Sequence, residues 1–245
     1  MNNILFIRGY NTYKSDIYTH LLSVFENNSV CVYDFSYKNN ETLESISERL
    51  INVLNLRNYK TIITHSLGAL ILSTLINDNN ISNLQNTDNI ILLNPKLVNN
   101  FFENTLSNIF IKFPFIKYIV KYIPHQLIIN KEKLTYNYSS TYIKKYYYMI
   151  MSYFTILNTK LLFDIMKYMY YNNIINKYII LQNTKNINII YSKDDEATYI
   201  DENILSTIYN KFNLKIIIGK HESFSPHEKK NIRDIYMLEI SNMLI

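Results

Sequence analysis

The chain has 245 residues, 48% of them hydrophobic, which suits one α/β domain with an insertion and excludes a disordered protein. Its single cysteine, Cys31, cannot form an intramolecular disulfide, and no stretch offers ~20 uninterrupted apolar residues for a membrane span. The net charge of +5 is uneven: between Lys96 and Asn183 eleven lysines oppose only Glu103, Glu132 and Asp164, so this basic stretch exceeds the charge of the whole chain.

The chain opens on an apolar strand at Asn3–Ile7, with no basic segment and apolar core of a signal peptide, so the expected location is intracellular and cytoplasmic. Ser15 to Phe25 then reads as a helix, with Ile17, Leu21, Leu22 and Phe25 on one face. Val30–Phe35 is the next strand, and Cys31 within it reads as a buried thiol. An amphipathic helix follows over 41–56, with Leu43, Ile46, Leu50, Val53 and Leu54 at helical spacing. Tyr59–Thr64 is a strand, a helix begins just after Ser66, and Asn89–Leu93 is a further strand closed by Asn94-Pro95. This βαβα rhythm predicts a mostly parallel sheet with helices on both faces.

The rhythm breaks near Lys96. From there to about Asn183 the pattern is helical, punctuated by Pro114 and Pro124, and it holds 13 of the 23 tyrosines. Residues 96–183 are therefore expected to be a helical insertion between core strands of one domain spanning 1–245. Strands return at Asn186–Tyr191 and Lys215–Ile218, separated by a helix over 202–212. A last helix is expected to open at Ser225-Pro226-His227-Glu228, with serine as N-cap and glutamate closing a capping box.

Glycine occurs only three times, and each glycine follows a strand. The low glycine content and the abundance of Asn, Ile, Lys and Tyr fit nucleotide bias. A glycine that survives such bias marks a place where backbone geometry or close approach demands it. Gly68 lies in Thr64-His65-Ser66-Leu67-Gly68, between the strand Thr61-Ile62-Ile63 and the helix from Ala69. A serine nucleophile elbow needs this strand–turn–helix setting and small residues two before and two after the serine. Gly68 meets that need, whereas Thr64 is larger than the usual glycine. The plainer reading makes Ser66 an ordinary helix N-cap.

Gly9 lies in Arg8-Gly9-Tyr10-Asn11, where a loop after an early strand can offer a backbone N–H to an oxyanion. The second donor would be the residue after the nucleophile, so the expected pair is Tyr10 and Leu67. Gly219 ends the strand two residues before His221, which can swing its imidazole toward Ser66. His227 is the rival base, but it falls in the first turn of the expected last helix. His65 reads as a packed core histidine, and His20 and His125 lie in helix or cap settings. The acid lies in Ser192-Lys193-Asp194-Asp195, where Asp194 and Asp195 compete. Ser192, three residues before Asp195, favours Asp195.

The order Ser66, Asp195, His221, each past a strand, resembles the α/β-hydrolase superfamily. The resemblance covers the chain from Asn3 through the last helix, apart from the insertion. It implies acyl transfer through a covalent acyl-serine, no metal or organic cofactor, and a role for 96–183 as a cap over the active site. The expected substrate is a small acyl compound, an ester or thioester with an apolar acyl group, as for esterases and lipases. An acyltransferase with the same triad, or a binding protein that keeps the fold without turnover, remains open. The basic, tyrosine-rich insertion could meet an anionic membrane surface, although nucleotide bias alone can supply both residue types. Nucleic acid is not an expected partner.

Overall fold

The computed structural model describes residues 3–9, 18–25, 28–33, 41–76, 82–99, 101–113, 115, 159–195, 198 and 200–244. The chain divides into two units. The first comprises Met1–Phe35, Ser47–Asn100 and Asn173–Ile245, and the second comprises Ser36–Ile46 and Phe101–Asn172. Element labels below number the described strands and helices in chain order.

The first unit is built on a six-stranded sheet: β1 (Asn3–Ile7), β2 (Ser29–Tyr33), β3 (Thr61–His65), β4 (Asn89–Leu93), β5 (Asn186–Ser192) and β6 (Asn213–Ile217). Their order across the sheet is β2-β1-β3-β4-β5-β6, and every pair is parallel. The mostly parallel α/β sheet expected from the sequence is thus observed. β3 and β4 sit centrally and are almost wholly buried, as strands covered on both faces must be. Ile62 and Ile63 of β3 and Ile90 and Ile91 of β4 are all buried, although successive side chains point to opposite faces.

One face carries Ile4, Phe6, Ile63, Ile91, Leu93, Ile190 and Ile217. These pack with Leu21 of α1 (Thr19–Ser23) and with Tyr236, Ile240 and Met243 of α8 (Lys230–Met243). The other face carries Leu5, Ile7, Ile62, Ile90, Leu92 and Ile189, also buried. Here α3 (Leu67–Ser73) is buried along its whole length and follows directly from β3. α6 (Ile174–Gln182) packs on it, and the Tyr178 hydroxyl donates to the Ala69 carbonyl at 2.6 Å. Fully burying each such Leu or Ile contributes roughly 1.5–3 kcal/mol, so the two apolar faces dominate the stability of the sheet.

α7 (Glu202–Lys211) connects β5 to β6 and is capped by the Asp201 carboxylate, which accepts the Ile204 N–H at 3.0 Å. The last helix begins later than the sequence predicts. The Ser225 N–H goes to the Glu222 carbonyl at 2.8 Å, and Glu228 Oε1 takes the Lys229 N–H instead of closing a capping box. Ser225 Oγ accepts the His227 N–H at 3.2 Å within a turn. Local side-chain bonding of this kind competes with the first helical turn and displaces it to Lys230.

The second unit holds α4 (Phe101–Lys112), α5 (Thr159–Tyr171) and the start of α2 (Leu43–Leu56). Leu161, Ile165, Met166 and Met169 form the buried stripe of α5. Asp164 of α5 accepts the Leu43 N–H at 3.3 Å, and Thr42 and Ser45 exchange N–H and hydroxyl bonds at 3.1 Å around the start of α2. Residues 116–158 lie outside the described residues, and with them Lys117, Lys121, Lys144, Lys145 and the apolar run 146–157. No helix among the described residues is long and apolar enough to cross a membrane.

Candidate active site

The candidate residues gather where parallel strands end, the edge at which α/β sheets place their ligands. Ser66 joins β3 to α3 with φ 52° and ψ −119°. A non-glycine residue in this region is strained, and such strain persists only where the surroundings over-determine it. Here the Ser66 N–H donates to the Leu93 carbonyl and the Ser66 carbonyl accepts the Lys96 N–H, both at 3.0 Å, which pins the turn to the end of β4. Ser66 makes no side-chain cap on α3, so the N-cap reading fails.

Two of the three glycines permit this turn. A Cβ on Gly68 would stand 2.5 Å from the Ile7 carbonyl oxygen and 2.9 Å from that of Arg8. A Cβ on Gly9 would stand 2.6 Å from His65 Nδ1 and 2.9 Å from Ser66 Cβ. The chain leaving β1 therefore runs against the elbow itself. The Gly9 N–H is already taken by the Tyr18 hydroxyl at 3.2 Å, so it is not free for an oxyanion. Tyr10, the expected donor, lies outside the described residues. Leu67 opens α3, and its N–H is one of the donors that have no acceptor within the helix.

Asp195 and His221 meet: His221 Nδ1 lies 2.7 Å from Asp195 Oδ2. The Asp195 N–H closes a turn on the Ser192 carbonyl at 3.0 Å, which aims this carboxylate inward. Its oxygens also accept from the Thr198 N–H at 3.0 Å and the Thr198 hydroxyl at 2.5 Å. Burial would raise the Asp195 pKa, but the hydrogen bonds and charge from His221 and Thr198 outweigh it and hold the carboxyl below its usual value. Asp194 is exposed, with its N–H on the Gly219 carbonyl at 3.0 Å. Gly219 admits the Ser223 side chain, whose Oγ would collide with a Cβ there. His227 is exposed in the turn before α8, and His125 lies outside the described residues.

His65, read from sequence as a packed core histidine, is indeed 2% exposed. Its ring lies edge-on to Phe224 and 4.7 Å from the His221 ring, centre to centre. Its Nε2 lies 3.2 Å from the His221 carbonyl and its Nδ1 lies 2.9 Å from the Tyr18 hydroxyl. Asn94, at φ 42°, donates Nδ2 to the same His221 carbonyl at 2.7 Å and accepts the Ser192 N–H on Oδ1 at 2.7 Å. The only sequence signal for Asn94 was the Asn-Pro pair ending a strand. No group of three or more His, Cys, Asp or Glu side chains among the described residues is placed to hold a metal.

Burial, and secondarily the charge of His221, push the His65 pKa down to about 3. The nearby Asp195 and the His221 carbonyl oppose this without reversing it. An unfolded histidine titrates near 6.5, so between these values the unfolded chain binds the extra proton. Stability is then lost as pH falls from about 6.5 toward about 3, on the order of 1 kcal/mol per unit. Denaturant melts at pH 6, 5 and 4 should show this slope, and His65→Gln should flatten it. Equal slopes for the two proteins would refute a neutral buried His65.

No protein-family model matches the chain, and no curated protein sequence does. Solved structures do match it. A hydrolase from Pseudomonas aeruginosa PA01 aligns over 99% of this chain and 89% of its own, with a TM-score of 0.62 and 10% identity. A structure described among the carboxylesterases of Nitrososphaera gargenis aligns over 100% and 92%, with a TM-score of 0.57 and 16% identity. The enol-lactonase of Burkholderia xenovorans LB400 aligns over 99% and 91%, with a TM-score of 0.58 and 9% identity. The chain has the α/β-hydrolase fold.

Proposed function

We propose that this chain is a serine hydrolase that cleaves a carboxylic ester or thioester through an acyl-Ser66 intermediate. The observation that carries this reading is the meeting of the elbow and the base loop: the residue before strained Ser66 touches the backbone of His221, whose ring is held by Asp195. In this reading His221 Nδ1–H donates to Asp195, leaving Nε2 to take the Ser66 Oγ proton. Oγ attacks the acyl carbon, and the Leu67 and Tyr10 amides stabilise the oxyanion. His221 returns its proton to the leaving alcohol or thiol as the acyl bond breaks. A water molecule, deprotonated by His221, then attacks the acyl-serine and releases the acid and Ser66. Asp195 orients the imidazole and stabilises its charged form without taking the proton. No step in this sequence calls for a metal or cofactor.

Residues 96–183 would act as a cap whose Phe, Ile, Tyr and Met side chains suit an apolar acyl group. Their basic charge favours an anionic lipid surface, with each lysine near it worth ~1 kcal/mol at moderate salt. Co-sedimentation with anionic rather than neutral vesicles at low salt supports that surface; no preference removes it. The enzyme reading itself is tested with a fluorophosphonate and a panel of acyl esters and thioesters. Labelling at Ser66 with release of free acid supports a hydrolase. Labelling with turnover only when an acceptor alcohol is added favours an acyltransferase, and absence of labelling favours a binding protein.

A further inference from the structure

The His221 carbonyl has two lone pairs, and side chains from two strand ends occupy them. Asn94 Nδ2 donates to it from the end of β4 at 2.7 Å, and His65 Nε2 reaches it from the end of β3 at 3.2 Å. A carbonyl can only accept, so His65 carries its proton on Nε2. The buried ring is neutral, so Nδ1 is a bare acceptor, and the bond at 2.9 Å must be donated by the Tyr18 hydroxyl. The Tyr18 oxygen in turn accepts the Gly9 N–H. One directed chain therefore runs from Gly9 N–H to Tyr18 O–H, to His65 Nε2–H and to the His221 carbonyl. Each link spans a long stretch of sequence: 9, 47 and 156 residues.

This chain of hydrogen bonds ends on the His221 main chain, while the His65 ring also packs 4.7 Å from the His221 ring, centre to centre. The bonds fix the main chain from which the His221 ring projects, while Asp195 fixes Nδ1. A base loop past β6 with only the Asp195 contact could pivot about that bond. Holding the backbone as well leaves the imidazole one placement. Tyr18 adds rigidity, because it is fully buried, stacks on Phe224 at 5.5 Å and has the Arg8 guanidinium over its ring, 4.8 Å from the centroid.

We infer that His65 is a positioning residue: a neutral imidazole, oriented by the Tyr18 hydroxyl, that together with Asn94 holds the His221 backbone so that its ring stays between Asp195 and Ser66. The same chain ties the base to the Gly9 loop beside the elbow. The catalytic consequence rests on the proposed triad. The structural consequence does not.

Two pairs of readings separate these. His65→Leu removes the donor, whereas His65→Gln places an amide N–H near the position of Nε2. Misplacing a catalytic group by about 1 Å costs up to ~10²-fold, so His65→Leu should lower kcat by about 10–100-fold with KM little changed. His65→Gln should recover most of that loss. In proton NMR, the low-field His221 Nδ1–H signal should broaden into solvent exchange in His65→Leu and persist in His65→Gln. In histidine labelled with ¹⁵N, wild-type His65 should show the proton on Nε2. A folded His65→Leu with wild-type kcat and a sharp His221 signal would overturn the inference, as would a His65 proton on Nδ1. If His65→Leu fails to fold, Asn94→Asp, which replaces the donor to the same carbonyl by an acceptor, is judged by the same readings. If the wild-type protein shows no turnover with any ester, the triad reading fails, and the NMR signals alone decide the positioning role.

Discussion

Ser66→Ala should abolish turnover of an activated ester while leaving the fold intact. Ser66 Oγ does not cap α3, so its removal does not free a helix N–H. Alanine at φ 52° bears the same strain as serine, and the main-chain bonds to Leu93 and Lys96 are untouched. Stability should therefore change little. Rate should change greatly, because loss of a nucleophile removes the covalent route altogether. Deleting one triad member costs on the order of 10⁴–10⁶ in kcat. The check is steady-state hydrolysis of a small soluble ester with a thermal melt beside it. Turnover of the folded variant near the wild-type value would remove Ser66 from the reaction.

Much of this site is legible in the sequence because its cues are local. Gly68 follows Ser66 by two residues, Ser192 precedes Asp195 by three, and Gly219 precedes His221 by two. Each pattern needs only a strand before it, and alternating strands and helices are themselves local signals. The positioning chain carries no such cue. Tyr18, His65, Asn94 and His221 come from four separate elements, and nothing in their own neighbourhoods marks them as partners. Only the order of β1, β3, β4 and β6 in the sheet brings them together. The last helix starts later than its sequence pattern indicates for a related reason. Ser-Pro-His-Glu fits a capping pattern, but the Ser225 N–H is claimed by Glu222, a contact that the pattern does not encode. α6 falls within the predicted insertion yet groups with the sheet-bearing unit, as its buried Ile174, Ile175, Tyr178 and Leu181 would allow.

His221→Ala should fail as badly as Ser66→Ala, whereas His227→Ala should stay active. The two histidines are six residues apart, and His221 has its ring nitrogen on the buried Asp195 carboxylate. His227 is exposed in the turn before α8, and its main-chain N–H bond to Ser225 Oγ is one that alanine retains. The acid is tested in the same way. Asp195→Asn keeps the size of the side chain but can present an amide N–H to His221, which favours the wrong tautomer. A loss of about 10⁴ in kcat is expected from such a change. It should be accompanied by weaker folding, since Thr198 also relies on that carboxylate. Asp194→Asn should cost little, because its side chain is exposed whereas that of Asp195 is buried on His221. The measurement is kcat for all four variants on one soluble ester, at a temperature where each is folded. An active His221→Ala, or equal losses in the two aspartate variants, would mean that the 2.7 Å pair of Asp195 and His221 is structural and that the base lies elsewhere.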